Sequence, residues 1–207
     1  MERTITIKGV GRYNAEPDTV EINVSLSGKS PEYEKAVEGE AQKYAYLADA
    51  IEKCGIDRKD IKTGSYNVRI CGRYVKNSFV NEGWECSRSL TIRFPLDSKM
   101  LNTVISAISN SLSEPNIRIE FTLSDTEDAK YILLQNAATD AVTKAKMLAE
   151  ATGVKLGELI SIDYNWSDIN FYSDMEYSDC CCASIESEFT PEDISMKENV
   201  TFMWSIS

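Results

Sequence analysis

The 207-residue chain has no histidine and no apolar run near the ~18 residues that a membrane-spanning helix needs. Without histidine, acid–base catalysis would have to rely on carboxylates, lysine, tyrosine or cysteine. We find no spacing typical of a nucleophile with its base. These gaps predict a protein that is not an enzyme, with no cofactor and no membrane span.

Basic residues are also missing from one long interval. Between Lys155 and Lys197 there is no lysine or arginine, while ten acids occur there, and the net charge of the chain is −11. The negative field of such a segment disfavours nucleic acid and anionic membrane surfaces as partners. We therefore expect no nucleic-acid partner.

Signals for export are not evident at the start of the chain. Met1 is followed directly by a strand pattern, with no charged-then-apolar leader. We therefore expect a cytoplasmic protein whose cysteines are all reduced thiols. The cysteines are Cys54, Cys71, Cys86 and the run Cys180, Cys181, Cys182.

The cysteine run is the sharpest chemical hypothesis in the sequence. Three adjacent thiols, Cys180, Cys181 and Cys182, could bind zinc or copper or respond to oxidation. Structural zinc sites, however, space their cysteines two to four residues apart, and neighbouring carboxylates disfavour the reactive thiolate. We favour a loop that is flexible or covered by a partner. Cys54 and Cys86 are interpreted as small core residues.

The run lies in an acidic segment, residues 165–189, that is also rich in aromatic side chains. A disordered linker would be poorer in such residues. We therefore expect the segment to dock on the body of the protein or on a neighbouring subunit, burying these rings. The rings in and beside it are Tyr164, Trp166, Phe171, Tyr172 and Tyr177.

Apolar periodicity divides the chain into strands and helices. Helix one is predicted to begin after an N-cap at Ser30, and helix three to begin with a capping box at Ser124 and Glu127 and to end at Gly153. The predicted strands are 4–10, 19–27, 65–75, 84–94, 117–123, 159–164 and 199–207, and the predicted helices are 31–54, 97–112 and 124–152.

The opening segment Ile5 to Leu26 is predicted to form an edge-to-edge pair of strands around the turn Glu16-Pro17-Asp18. Its glycines, Gly9 and Gly11, could suggest a phosphate-binding loop. They lack the third glycine and are not followed by a helix, so a bulge or tight turn is the better interpretation.

The order of elements predicts an α+β fold. Residues 18–124 show the β-α-β-β-α-β order of a ferredoxin-like core. An N-terminal strand and a C-terminal α-β-β segment extend this core. We interpret 1–207 as a single domain with two possible lobes, 18–124 and 1–17 plus 125–207.

Four motifs resemble the SIMPL-domain family, which includes YggE-like proteins and periplasmic immunogenic proteins. They are Ile5-x-Ile7-x-Gly9-x-Gly11 with Ala15-Glu16-Pro17-Asp18; Gly55-Ile56-Asp57-x-x-Asp60-Ile61-x-Thr63; Asp140-Ala141, Lys144-Ala145, Leu148-Ala149 and Gly153-Val154-x-Leu156-Gly157; and Thr190-Pro191-Glu192. The resemblance implies an α+β fold and self-assembly into rings or larger oligomers. It links some members to oxidative-stress or envelope defence and supplies no catalytic residues.

The leading functional hypothesis is a non-enzymatic, self-associating SIMPL-domain protein with a structural or stress-related role. Two alternatives remain open. One is a metal- or thiol-dependent oxidative-stress protein that acts through Cys180 to Cys182. The other is a small-molecule binding module that uses a cleft between the lobes.

Overall fold

The computed structural model describes residues 3–75, 78–165, 169–173 and 189–207. Its helices and strands confirm the α+β class. The strands are β1 (Thr4–Ala15), β2 (Thr19–Ser30), β3 (Ile61–Val75), β4 (Ser78–Pro95), β5 (Asn116–Thr122), β6 (Leu156–Asp163) and β7 (Ile194–Ile206). The helices are α1 (Tyr33–Glu52), α2 (Ser98–Ser109) and α3 (Thr126–Thr152).

The chain divides into two compact units. The first comprises the described residues within Met1–Pro17, Thr122–Asp174 and Glu192–Ser207, and the second those within Asp18–Phe121 and Met175–Pro191. Each unit has a sheet and its own apolar cluster.

The second unit has a four-stranded sheet in the order β3-β4-β2-β5. Strand β4 runs antiparallel to both β2 and β3, so it lies between two strands that are parallel to each other. This is the split β-α-β arrangement of the ferredoxin-like order. One face of the sheet buries alternate residues of β2 and β4 with α1 and α2. Its members are Val20, Ile22, Val24, Leu26, Leu90, Ile92, Leu47, Ile51, Leu101 and Val104.

The first unit has an antiparallel three-stranded sheet in the order β1-β7-β6, with α3 in contact with β1 and β7. The predicted pairing of the first two strands is therefore wrong. Strand β1 pairs along its whole length with β7, from Thr4 opposite Ser205 to Ala15 opposite Ile194, while β2 pairs with β4. The alternation of both terminal strands explains this choice, because the pairing places their apolar residues on one face.

Gly9 and Gly11 lie inside β1, in a continuous register without a bulge, and face α3. The predicted bulge or turn is therefore wrong. A Cβ atom on Gly9 would collide with the backbone oxygen of Ala137, and one on Gly11 with the backbone oxygen of Leu133. The glycines allow the backbone of the helix to approach the backbone of the strand.

The buried face of α3 is a row of small residues that matches this close approach. Tyr131 and Leu148, which lie at helical spacing along α3, are 67% and 41% exposed. Ala141 and Ala145 are buried. Ala137 and Ala141 lie where the helix meets Gly9, whereas the larger Leu133 packs against Ile194 and Met196. The buried residues are Ala129, Leu133, Ala137, Ala141, Ala145 and Ala149.

The ends of the helices differ in detail from the predicted caps. Glu32, not Ser30, occupies the N-cap position of α1, and its side chain makes no capping bond. Asp125, not Ser124, caps α3, because its side chain accepts hydrogen bonds from the backbone N–H groups of the first turn. Gly153 ends α3 in the left-handed conformation, φ 70°, which confirms that prediction.

We expect Gly11→Ala to lower the free energy of unfolding by about 1–3 kcal/mol, because the added methyl group must push α3 away from β1. Gly39→Ala in α1 is the matched control, since no atom lies within 4 Å of its added Cβ. That substitution should stabilise the protein by about 0.5–1 kcal/mol. Urea unfolding of both variants measures the difference, and effects of the same sign would contradict the account.

Candidate functional site

A buried ion pair lies between α1 and β4 in the second unit. The side chain of Glu40 is fully buried, and that of Arg88 is 19% exposed. Arg88 Nε lies 2.8 Å from Glu40 Oε1, and Arg88 Nη2 donates to Glu40 Oε2 at 3.0 Å. The guanidinium therefore contacts both carboxylate oxygens and donates one hydrogen bond, through Nη2, and the attraction of the two charges offsets part of the cost of burying them.

Aromatic rings complete the surroundings of Arg88. Its guanidinium carbon lies 4.3 Å from the ring centre of Tyr44 and 5.1 Å from that of Tyr66. A hydrogen bond between the Tyr66 hydroxyl and the Cys86 thiol, with a smaller contribution from burial, raises the pKa of Tyr66 to about 12. Tyr66 therefore stays neutral at any physiological pH, and the cluster can hold an arginine in place without supplying a base.

The sequence reasoning did not identify this pair, although a signal was present. Glu40 lies on the buried face of α1 with Ala36 and Leu47, and Arg88 lies between the apolar neighbours Cys86 and Leu90 on β4. A charge that interrupts an apolar face in each of two elements indicates a buried pair when the elements pack together.

The described cysteines are free thiols, as predicted. Cys86 is fully buried, as a core residue should be, and Cys54 is partly buried, which raises the pKa of its thiol. Cys71 is also partly exposed. The run Cys180, Cys181 and Cys182 lies outside the described residues, so the metal or thiol hypothesis based on it stays a prediction.

The segment that was expected to dock is described only in part. Tyr164 and Phe171 each pack against an apolar cluster of the first unit, and Tyr172 is half-buried. Trp166 and Tyr177 lie outside the described residues. Burial raises the pKa of Tyr164, and the nearby charge of Glu198 adds to the effect.

The hairpin of β3 and β4 is longer than predicted. The sequence predicted a loop over 76–83, but β4 begins at Ser78. The pairing of β2 with β4 ends at Trp84, so the residues before Trp84 pair only with β3. We call residues 71–75 and 78–83 the hairpin arm.

The hairpin arm exposes apolar side chains. Tyr74 is 79% exposed, Phe79 is 49% exposed, and their ring centres lie 5.4 Å apart in an edge-to-face arrangement. Val80 is also exposed. The two charged residues of the described arm, Arg73 and Glu82, form an ion pair at 2.8 Å. The arm thus combines a neutral charge balance with an unusual share of exposed aromatic surface.

The two outer strands of the three-stranded sheet differ in how their edges are covered. On β1, the Val10 N–H donates to Asp140 Oδ2 at 2.7 Å, and Asn136 Nδ2 donates to the Arg12 carbonyl at 3.0 Å. Lys144 Nζ donates to the same Asp140 oxygen at 2.7 Å. Polar side chains of α3 therefore occupy backbone groups that would otherwise be open to another strand.

The opposite edge of this sheet is β6, which pairs with β7 on one side. Exposed apolar residues lie along it, namely Leu159, Ile160 and Ile162. An exposed apolar edge strand can add a strand from another chain.

Within the described part of the chain, no group of three or more potential ligand side chains is arranged to hold a metal ion. The helices described there are all too short or too polar to cross a membrane.

The described structure is thus an α+β protein of two units, with a glycine-bearing strand packed on α3 and a long exposed hairpin. The family model described as "SIMPL: Protein of unknown function (DUF541)" matches residues 5–203. The chain belongs to this family, as the sequence motifs suggested.

Curated relatives are similar over most of the chain. The 26 kDa periplasmic immunogenic protein of Brucella melitensis is 27% identical over 166 residues, which cover 76% of this chain and 65% of that protein. The protein of the same name from Brucella abortus is 26% identical over the same shares. The match thus spans slightly less than two thirds of these relatives' length. A crystal structure of an uncharacterized conserved protein from Listeria innocua is 12% identical, covers 96% of this chain and 92% of that chain, and has a TM-score of 0.27.

The expected cytoplasmic location is wrong. The relatives are named as periplasmic proteins, which points to export. The expectation depended on the residues at the start of the chain, and these are weaker evidence of location than the relatives.

We expect Arg88→Met to lower the free energy of unfolding by about 3–5 kcal/mol, because it leaves the Glu40 carboxylate buried without a partner. The double variant Glu40→Met/Arg88→Met should recover most of this loss. Arg58→Met removes exposed ion pairs with Asp49 and Glu52 and should cost no more than about 1 kcal/mol. Denaturant unfolding of the four proteins tests this; a double variant less stable than Arg88→Met would contradict it.

We expect Asp140→Asn to destabilise the protein at neutral pH and to have less effect in acid. The hydrogen bond from Lys144, followed by that from the Val10 N–H, lowers the pKa of Asp140. A lowered pKa contributes stability above the unfolded value of about 3.9, and this is lost as pH falls through the folded value. Glu150→Gln on the exposed side of α3 is the control. Unfolding curves from pH 7 to pH 3 should converge for Asp140→Asn and wild type, and a pH-independent difference would contradict this.

Proposed function

We propose that this protein is a non-enzymatic structural protein that self-associates through the hairpin arm and acts outside the cytoplasm. The observation that carries the proposal is the exposed aromatic pair of Tyr74 and Phe79. Aromatic residues are enriched at the cores of protein interfaces, where their burial dominates the binding energy. The export part of the proposal is supported by the names of the Brucella relatives.

A second copy of the chain fits the arm better than an unrelated charged partner. The chain as a whole carries a net charge of −11, which makes two copies repel each other. The described arm carries one arginine and one glutamate, Arg73 and Glu82, so repulsion is small there. An arm that meets its own copy across a two-fold axis could exchange this ion pair between subunits, because each surface would present both charges.

The non-enzymatic part is supported by the use of buried carboxylates. Glu21 is paired with Arg93 at 2.5 Å, and Glu85 with Lys29 at 3.1 Å and Arg69 at 2.8 Å. These ion pairs link neighbouring strands of the sheet. The hydrogen bond from Arg69 lowers the pKa of Glu85, which makes this carboxylate a poor general base.

Light scattering coupled to size exclusion tests the proposal. The wild type should elute at a mass that is a multiple of 23.2 kDa, and Tyr74→Ser/Phe79→Ser should fall to a smaller assembly. Tyr131→Ser is the matched control, because it removes an aromatic ring that is 67% exposed on α3. It should keep the wild-type mass.

The contrary outcomes are distinct. A wild type that is monomeric across micromolar concentrations would overturn self-association. An unchanged mass for the arm variant, with a reduced mass for Ile160→Lys, would reject the arm and assign the contact to the β6 edge.

A further inference from the structure

Two cations lie directly opposite each other on the exposed face of the three-stranded sheet. Arg12 of β1 is the register partner of Lys197 of β7, and the next pair on the same face is Asn14 and Ser195. All four residues are exposed. Directly opposed side chains have Cβ atoms about 4.5–5.5 Å apart, where like charges destabilise the pair.

Arginines of the other sheet, by comparison, form ion pairs with glutamates. In the four-stranded sheet, Arg93 is paired with Glu21, Arg69 with Glu85, and Arg118 with Glu120. By contrast, within the described ranges neither Arg12 nor Lys197 has a carboxylate at ion-pair distance. The pair concentrates positive charge on one face in a chain of net charge −11, and an anion between the two side chains would offset their mutual repulsion.

Asp140 of α3 forms no ion pair with Arg12. Of the groups that lower the pKa of Asp140, Arg12 has the smallest effect, and it acts only through space. The Oδ2 atom of Asp140 is already occupied by the Val10 N–H and by Lys144 Nζ, both at 2.7 Å. Asp140 therefore does not occupy the N–H groups of the Arg12 guanidinium.

The same residues line an open surface depression of about 560 Å³, whose wall also includes Tyr13 and Met196. A ligand held there would stay partly exposed to solvent, so its recognition depends on the charged and polar groups of the wall. The side chains on its wall supply the guanidinium of Arg12, the ammonium of Lys197, the amide of Asn14 and the hydroxyl of Ser195. All four can donate hydrogen bonds, and the wall includes no carboxylate.

We propose that Arg12 and Lys197, with Asn14 and Ser195, form a binding site for a small ligand whose carboxylate or phosphate group lies between the two cations. The guanidinium binds such a group through two parallel hydrogen bonds, and the ammonium supplies a second positive charge. The amide and the hydroxyl fix the orientation of the ligand farther along the strands. This site is independent of the hairpin arm and of the proposed self-association.

Nuclear magnetic resonance titration of the full chain tests the site with two probes, inorganic phosphate and succinate. Either probe should give saturable shifts centred on residues 12, 14, 195 and 197, and the tighter probe identifies the preferred anionic group. Arg12→Gln and Lys197→Gln should each weaken binding at least about tenfold, the usual cost of a charged hydrogen bond. Arg12→Lys should bind more weakly than wild type, because lysine keeps the positive charge but cannot donate two parallel hydrogen bonds to one anionic group.

Lys8→Gln is the matched control. Lys8 lies on the same face of β1 but opposite the neutral Thr201, so its loss should leave the affinity unchanged. An equal loss of binding in Lys8→Gln would show general charge attraction and overturn the proposal. Absence of saturable shifts with both probes would also overturn it. Without ligand, Arg12→Gln should unfold no more easily than wild type, and a clear loss of stability would indicate a structural role instead.

Discussion

The contact of two backbones, α3 against β1 at Gly9 and Gly11, is the constraint on which the first unit depends. Because no side chain can lie between the two backbones, alanine recurs along the facing side of the helix, with Leu133 as the one larger buried residue. The same proximity lets Asp140 and Asn136 reach the backbone edge of β1. One close contact thus favours alanine on this face of the helix and covers part of a sheet edge against another strand.

The second unit is organised differently, around an electrostatic constraint. Its apolar layer contains one charge from α1 and one from β4, and each is tolerable only because the other is at bonding distance. Glu40 and Arg88 therefore specify which turn of the helix meets which residue of the strand. The rings of Tyr44 and Tyr66 both contact the guanidinium and restrict where it can lie.

Two exposed surfaces, one on each unit, carry side chains that no other described element covers. The β3–β4 hairpin continues past the end of its pairing with β2, and its aromatic residues are left exposed. On the other unit, the outward side of β1 and β7 presents Arg12 beside Lys197. These surfaces differ in chemistry, one apolar and balanced in charge and the other cationic. They therefore suit different partners, a second copy of the chain and a small anion.

Local patterns determined much of the secondary structure. The alternation in the terminal strands, the helical spacing after Asp125 and the stop at Gly153 depend on neighbours in sequence, and the SIMPL motifs indicated the family. Tertiary structure decided which strands pair, since β1 and β7 meet across the whole chain. It also decided that the glycines serve a helix contact and not a turn. The proposed anion site could not be predicted from sequence spacing, because Arg12 and Lys197 become neighbours only through the long-range pairing of β1 with β7.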